Sequence, residues 1–389
     1  MWRHVAANGM TLLIVLLFVV GGAILWGTRI YTSPGPLAQP ICLEIPSGSS
    51  MSAVSESLEE RGAISDATIF RIGADYEGKT TQIKAGSFLV PQQASMDQVL
   101  SLITESGRST CGTVVNYRIG VASSSVQVNE LNTETQRYEE LARFDLGAEE
   151  VPESYDRAKA AAGTRFQITV AEGTTTWGVV EALRQVDLLT GEIETIPPEG
   201  SLAPELYEVR LEQDRGTLIA QMQALQQERL QAAWSERVDD LPLENPEEVL
   251  ILASIIEKET GVADERRQVA SVFVNRLNVG MRLQTDPTVI YGITEGRSVL
   301  GRGLRRSELR EPTPYNTYVI PALPPTPIAN PGEASIRAAV NPDSTDYIFF
   351  VADGTGGHAF AQTLDEHNRN VARWRQIEAE RANQQPSNN

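Results

Sequence analysis

The sequence predicts an α+β protein with an N-terminal transmembrane helix, two small α/β units and a C-terminal mixed α+β domain. Three observations carry that expectation. A long uncharged apolar run opens the chain, one strand-Gly-Ser/Thr-helix pattern occurs twice, and a strongly signalled helix start at residue 245 precedes helical and strand-like segments. At 389 residues the chain is too long for one compact core. Its formal charge of -18 argues against a general nucleic-acid binder, because a phosphate backbone repels such a surface.

Between Arg3 and Arg29 there is no Asp, Glu, Lys or Arg, and MTLLIVLLFVVGGAILW (10–26) is almost wholly apolar. With its flanks it is long enough to cross a hydrocarbon layer of ~30 Å. A cleaved signal peptide is the alternative reading. The lack of a clear A-x-A site and the interfacial character of Trp26 favour an anchor over residues 1–31. The anchor places the N-terminus in the cytoplasm and everything after Arg29 outside, and residues 32–40, rich in proline, read as a spacer.

Cys42 and Cys111 bracket the first small unit (41–107), and in an oxidising compartment the expectation is a disulfide between them. With three histidines, no His-Glu-x-x-His and no clustered cysteines, no metal ligand set is expected.

IPSGSSMSAVSESL (45–58) aligns without gaps on VAEGTTTWGVVEAL (170–183), with Gly48/Gly173, Val54/Val179, Glu56/Glu181 and Leu58/Leu183 coincident. Ser49 or Ser50 is the expected N-cap of the first helix. AGSFLVP (85–91) and EGSLAPE (199–205) form a second, weaker echo. These matches predict a related second unit within 164–243, which also holds a helix over 214–238. Residues 108–163 read as an insertion whose CGTVVNYRIGV is a strand.

The C-terminal domain (244–382) begins at ENPEEVL, where Asn245 caps, Pro246 takes the first helical position, and Glu247 and Glu248 complement the helix dipole. The helix is expected to end near Thr260 with Gly261 as its stop. A second helix is expected over about 265–279, a strand over 346–353, a last helix from Leu364, and a disordered tail over 383–389.

On the first of these helices Glu259 falls within about 60° of Leu252, Ile255 and Ile256, on the apolar stripe. Glu257 points to another face. A carboxyl on an apolar stripe is desolvated and kept protonated, as a general acid must be. The bland reading is a solvated last turn with ion pairs to Lys258 or Arg266. Downstream, NRLNVGMRLQTDPTVIYGI (275–293) and TPYNTYVIPALPPTPIANPG (313–332) are poorly periodic and rich in side chains that hydrogen-bond hydroxyls or stack on sugar faces. Turn chemistry would produce the same composition. Residues 250–310 hold ten Lys/Arg against seven Asp/Glu, a net +3 island that suggests an anionic ligand.

ASIIEKETGVADERRQVASVFVNRLNVGMRLQTDPTVIYGI, TPYNTY, LPPTPIANPG, YIFFVADGTGGHAF and EHNRNV closely resemble the endolytic murein transglycosylase (MltG/YceG-like) family, densely over 244–371 and more loosely over the two small units. Two departures are the 108–163 insertion and Ala322, where a glycine is expected before LPP. The resemblance implies LysM-like small units and cleavage of the MurNAc-GlcNAc β-1,4 bond in nascent glycan strands, leaving 1,6-anhydroMurNAc ends. It places the catalytic glutamate before Ser or Thr, here Glu259 in KETG, with Glu257 as the alternative. Gln284, Thr285, Asp286, Tyr291, Tyr315, Asn316, Thr317 and Tyr318 are the expected substrate-binding residues. No cofactor is implied. The expected partners are peptidoglycan strands and the membrane, with peptidoglycan synthases as further candidates. The expected location is a single-pass inner-membrane anchor with the catalytic part in the periplasm. A water-using muramidase and a non-catalytic peptidoglycan-binding scaffold are the competing readings.

Overall fold

The computed structural model describes residues 2–105, 110–161 and 163–384. Helix α1 (Trp2–Thr32) is followed by β1 (Ile41–Ile45), α2 (Met51–Glu60), α3 (Ala67–Tyr76), β2 (Gly86–Val90) and α4 (Met96–Glu105). Then come β3 (Thr113–Ile119), β4 (Ser124–Asn132), β5 (Arg137–Asp145), α5 (Glu153–Ala160), β6 (Arg165–Val170), α6 (Thr176–Gln185) and β7 (Leu189–Thr190). β8 (Leu206–Val209), β9 (Gln213–Asp214) and α7 (Arg215–Ser235) lead into the last part. That part contains α8 (Pro246–Glu259), α9 (Arg266–Asn278), α10 (Asp286–Thr294), α11 (Glu333–Val340), β10 (Phe349–Ala352), β11 (His358–Ala361) and α12 (Leu364–Gln384). The largest sheet has five strands in the order β5-β4-β3-β6-β8. Contacts divide the chain into two compact units. One comprises Met1–Asn116, Gln127–Phe144 and Glu149–Phe166, and the other Tyr117–Val126, Asp145–Ala148 and Gln167–Asn389.

In the first unit β1 and β2 pair antiparallel from Ile41↔Val90 to Ile45↔Gly86. Their buried side chains, among them Leu43, Phe88 and Val90, pack with Val54, Leu58, Phe70, Leu100 and Ile103 of the helices. Alternation on the strands and helical spacing on α2 to α4 meet in one core. The Cys42–Cys111 disulfide is formed, with Cα atoms 5.9 Å apart. α1 carries a span, Met10–Thr32, long and apolar enough to cross a membrane, and its leucines, valines and Phe18 are exposed. One N-terminal helix of this kind fits a single-pass anchor. Its C-terminal end is packed: Tyr31 lies on Gly73 of α3, where a Cβ would meet the ring, and donates its hydroxyl to Glu77 at 2.7 Å. The expected spacer is packed too. Leu37 joins the core and its carbonyl accepts the Gln93 N–H at 3.1 Å, so proline content there marks a fitted strap and not a free tether.

The first sequence echo has a structural counterpart. Gly48 and Gly173 both take positive φ (+81° and +77°), and Ser50 and Thr175 both cap the following helix by accepting an N–H three residues on. The second echo has none, since 86–90 is a strand whereas 199–205 is turn and irregular chain. The 108–163 segment contains β3, β4, β5 and α5, its strands belonging to the five-stranded sheet. Residues 108, 109 and 162 lie outside the described residues.

In the second unit α8 is the central helix. Asn245 accepts the Glu248 N–H at 2.9 Å, and the Glu248 carboxylate takes the Glu244 N–H at 2.7 Å. The helix stops at Thr260, with no left-handed glycine: the Thr260 N–H closes on the Ile256 carbonyl, and its hydroxyl accepts the Val262 N–H at 3.0 Å. α9 ends as the glycine signal implied, with Gly280 at φ +67°. The strand expected over 346–353 is shorter, Phe349–Ala352, paired antiparallel with β11. α12 starts at Leu364 and reaches Gln384, two residues into the expected tail, while 385–389 lie outside the described residues. Val249, Leu252, Ile255, Ile256, Phe273, Ile336 and Ala339 are fully buried together around α8, α9 and α11.

Opening the disulfide should destabilise the first unit. It closes a separation of 69 residues, and the loss is expected to be about 2–4 kcal/mol. Thermal melting of Cys42→Ser/Cys111→Ser against wild type checks it, and equal melting temperatures would refute it. Deletion through Gly27 should give a soluble, folded chain. Deletion through Tyr31 should lose a further ~1 kcal/mol of stability, read as a lower melting temperature than the Gly27 deletion, because it removes the hydrogen bond to Glu77 and part of the apolar contact.

Candidate active site

The last turn of α8 delivers three side chains to three places. Glu257 accepts the Gly332 N–H at 3.0 Å, a backbone partner where the sequence had suggested a cation. The Lys258 amine reaches the Gly173 carbonyl at 3.3 Å, and burial pushes its pKa down. Glu259 follows the buried stripe of Leu252, Ile255 and Ile256 and accepts a hydrogen bond from the Thr285 hydroxyl. Burial pushes the Glu259 pKa up. The Thr285 hydrogen bond opposes this, as do the positive fields of His358 and Arg276, whereas Asp286 adds to it. Burial is the largest of these influences, and it is fixed by packing: four fully buried aliphatic side chains of α8 contribute about 1.5–3 kcal/mol each. Turning the helix to hydrate one carboxylate would forfeit them, whereas taking up a proton does not.

Thr285 is held from several sides. Its N–H donates to the Thr317 hydroxyl at 3.0 Å, its carbonyl accepts from Thr288 at 2.9 Å, and Gln284 N–H donates to the Thr317 carbonyl at 3.2 Å. Gln284 is exposed and sits at φ +50°, a conformation costly for a residue with a side chain. That strained residue turns the chain into α10, whose first residue Asp286 is exposed and accepts the Tyr318 hydroxyl at 2.7 Å. Burial, then the bond to Asp286, raises the Tyr318 pKa. α10 falls in a segment read as irregular. Its two-turn length and the proline in its first turn conceal the helical period.

The expected binding residues separate into three groups. Gln284, Thr285, Asp286 and Tyr318 gather near Glu259. Tyr291 and Tyr315 stand together, rings 5.0 Å apart, in a second cluster where the Tyr291 hydroxyl donates to Glu199 at 3.2 Å and that of Tyr315 pairs with Thr326 at 2.8 Å. Burial raises the Glu199 pKa, opposed by hydrogen bonds from Thr176, Gly200 and Tyr291. Asn316 and Thr317 are fully buried: Asn316 donates to the Glu308 and Glu311 carbonyls, and Thr317 holds the Thr285 turn. They build the loop and present no surface to a ligand.

Two groups at the site were not singled out from sequence. Arg276 of α9 is only 6 % exposed and faces inward with Val269, Val272 and Phe273, the same helical placement that marks Glu259. His358 at the start of β11 donates its backbone N–H to Glu265 at 2.9 Å and sets its Nδ1 3.0 Å from the same carboxylate. No periodic signal marks a histidine after a Gly-rich turn. Among the described residues no group of three or more His, Cys, Asp and Glu gathers to hold a metal ion. A cavity of about 620 Å³ elsewhere in this unit is lined by Glu172, Glu205, Arg229, Glu333 and Arg337. Its arginines are already paired, Arg229 with Glu205 and Glu333, Arg337 with Glu333 and Glu236. Glu259, a single carboxyl whose pKa burial pushes up, is therefore the candidate acid, since such a group can give a proton and take one back.

The profile of the YceG-like family matches residues 43–373. A protein named endolytic murein transglycosylase from Bacillus subtilis (strain 168) is 28% identical over 360 residues, covering 90% of this chain and 89% of that one. A protein of the same name from Streptococcus pneumoniae serotype 2 (strain D39 / NCTC 7466) is 27% identical over 85% of this chain and 58% of its own length. A crystal structure of a yceG-like protein from Listeria monocytogenes aligns with TM-score 0.44 and 25% identity, over 85% of this chain and 98% of that one.

The raised Glu259 pKa has a stability signature. A carboxyl that binds its proton more tightly when folded contributes stability that is complete below the unfolded value, about 4.3, and is lost as pH rises through the folded pKa. Glu259→Gln removes that loss. Melting temperatures taken from about pH 4 to about pH 9 should show the variant gaining on wild type as pH rises. A constant difference would mean the carboxyl is not desolvated.

Proposed function

Since the chain belongs to the YceG-like family, we propose that it is a membrane-anchored endolytic murein transglycosylase, a lyase that cuts the MurNAc-GlcNAc β-1,4 bond of peptidoglycan strands. The observation that carries this reading is the partly buried Glu259 carboxyl, hydrogen-bonded by Thr285 at the end of α8. Its relatives of the same kind act on murein by name.

Glu259, protonated, gives its proton to the glycosidic oxygen as positive charge develops at C1 of the muramic residue. The substrate's own 2-acetamido oxygen supports that centre, so a second carboxylate is not needed. The Glu259 carboxylate then removes the proton from the muramic C6 hydroxyl, and the oxygen closes on C1 to leave the 1,6-anhydro end. An internal hydroxyl held in place competes well with water because its effective molarity is high. Thr285 steadies the carboxyl through both transfers. Gln284, Asp286 and Tyr318 offer polar and aromatic surface for the sugars, with Tyr291 and Tyr315 as a second aromatic station. Asn316 and Thr317 serve by shaping the loop.

The β1-α2-α3-β2 order of the first unit supports a LysM-like reading, and the shared Gly and N-cap grammar extends it to the segment around α6. These units would hold glycan strands while α1 fixes the chain in the inner membrane, N-terminus in the cytoplasm and the rest in the periplasm. Peptidoglycan synthases that make the strands are fitting neighbours.

Glu259→Gln should abolish cleavage while folding and glycan binding persist. Gln keeps the shape and can still accept from Thr285, but it can neither donate nor recover the proton, and each such transfer is worth ~10²–10⁴-fold. Glu257→Gln should cost little, because an amide oxygen can still accept the Gly332 N–H. Mass spectrometry of digested glycan strands reads both variants. A dead Glu257→Gln with an active Glu259→Gln would move the catalytic assignment. Full activity in both would place the acid on another residue, no cleavage by wild type would leave a binding scaffold, and reducing ends in place of anhydro ends would indicate a muramidase.

A further inference from the structure

We infer that Arg276 is the positioning residue of the Glu259 site, holding Thr285 in register by its grip on the preceding backbone and lending positive charge to the carboxylate that proton donation creates. The inference rests on the proposed function for its kinetic consequences and on geometry for its basis. From α9, Arg276 Nη1 donates to the Leu283 carbonyl, two residues before Thr285, and Nε donates to the Ile348 carbonyl at 2.7 Å, just before β10. One side chain therefore ties the turn that presents the Thr285 hydroxyl to the strand pair that carries His358.

A guanidinium this buried is costly without a counter-charge. Among the described residues no carboxylate lies within ion-pair distance of Arg276. Its surroundings are the two carbonyls, the Phe349 ring at 5.9 Å, Tyr318, His367 of α12 and Glu259 of α8. Burial and the field of Arg276 push the His367 pKa down, and the Tyr318 pKa is raised, so neither supplies an anion near neutral pH. Glu259 can. The groups that act on Glu259 are Thr285, His358, Asp286, Tyr318 and Arg276, and the exposed Asp286 opposes the effect of Arg276. While Glu259 holds its proton, Arg276 has little to attract. Once the proton moves to the leaving oxygen, the buried positive charge faces a new anion. The attraction is larger in the transition state than in the ground state, the condition under which it raises kcat and not affinity.

The test compares Arg276→Gln, which removes the charge, with Arg276→Lys, which keeps it, in the full-length chain in dodecyl maltoside micelles. On purified glycan strands Arg276→Gln should lower kcat about 10²-fold with KM little changed. Its alkaline limb should move to higher pH, because loss of a nearby cation raises the Glu259 pKa. Arg276→Lys should keep the wild-type limb and lose less activity. A parallel NMR titration of ¹³C-labelled glutamate carboxyls, assigned with Glu259→Gln, needs no substrate and should show the Glu259 midpoint raised in Arg276→Gln alone. An unmoved limb and midpoint in Arg276→Gln, or Arg276→Lys matching Arg276→Gln, would overturn the inference. If wild type makes no anhydro ends, the transglycosylase reading falls, and the titration still decides whether Arg276 governs the Glu259 charge.

Discussion

Desolvation of one carboxyl at the end of α8 is the constraint around which the second unit is arranged. The helix is committed to the interior by Val249, Leu252, Ile255 and Ile256, all fully buried, and the same 3.6-residue period that buries them carries Glu259 inward. A carboxylate there would face a desolvation penalty of several kcal/mol. The molecule meets it by favouring the protonated form and by a hydrogen bond from Thr285. Proton donation, the chemistry proposed for the site, is thus a consequence of packing before it is a property of the glutamate. Glu257, two residues earlier on the same helix, lies on another face and ends as a backbone acceptor.

The polar loops around Glu259 divide their side chains between two tasks. Irregular backbone leaves N–H and C=O groups without ladder partners, and buried ones must be satisfied. Asn316, Thr317 and Thr288 spend their polar atoms that way, and Asn330 does so on a larger scale. It donates to the Thr174 carbonyl at 2.9 Å and accepts the Leu202 N–H at 2.9 Å, fully buried. Gln284, Asp286 and Tyr318 are left with surface to offer, and they stand beside the buried acid. Such an arrangement would hold the proposed acid in place while leaving polar and aromatic surface open beside it.

The first unit answers a different demand. It packs the end of an exposed apolar helix onto a small core, and it does so with Tyr31 on Gly73, Leu37 in the core and a disulfide at the edge of β1. Small cores bury a low fraction of their surface, so a covalent bridge and a fitted strap are worth more here than in the larger second unit.

Sequence alone determined the features that depend on local spacing. The apolar N-terminal span, the start of α8 at Asn245, a cap at Ser49 or Ser50 and the inward direction of Glu259 all follow from caps, composition and helical period, which act within a few residues. The pairing of Cys42 with Cys111 was legible because only two cysteines exist. Tertiary structure decided what depends on residues far apart in the chain. It made Thr285 the partner of Glu259 and turned Asn316 and Thr317 from apparent sugar binders into supports. It drew the proline-rich strap into the core, placed the 113–145 strands in a five-stranded sheet, and brought Arg276 and His358 to the acid. Composition reports that a residue can form hydrogen bonds. Only the folded chain settles whether its partner is its own backbone or a ligand, because burial determines which polar groups water no longer satisfies.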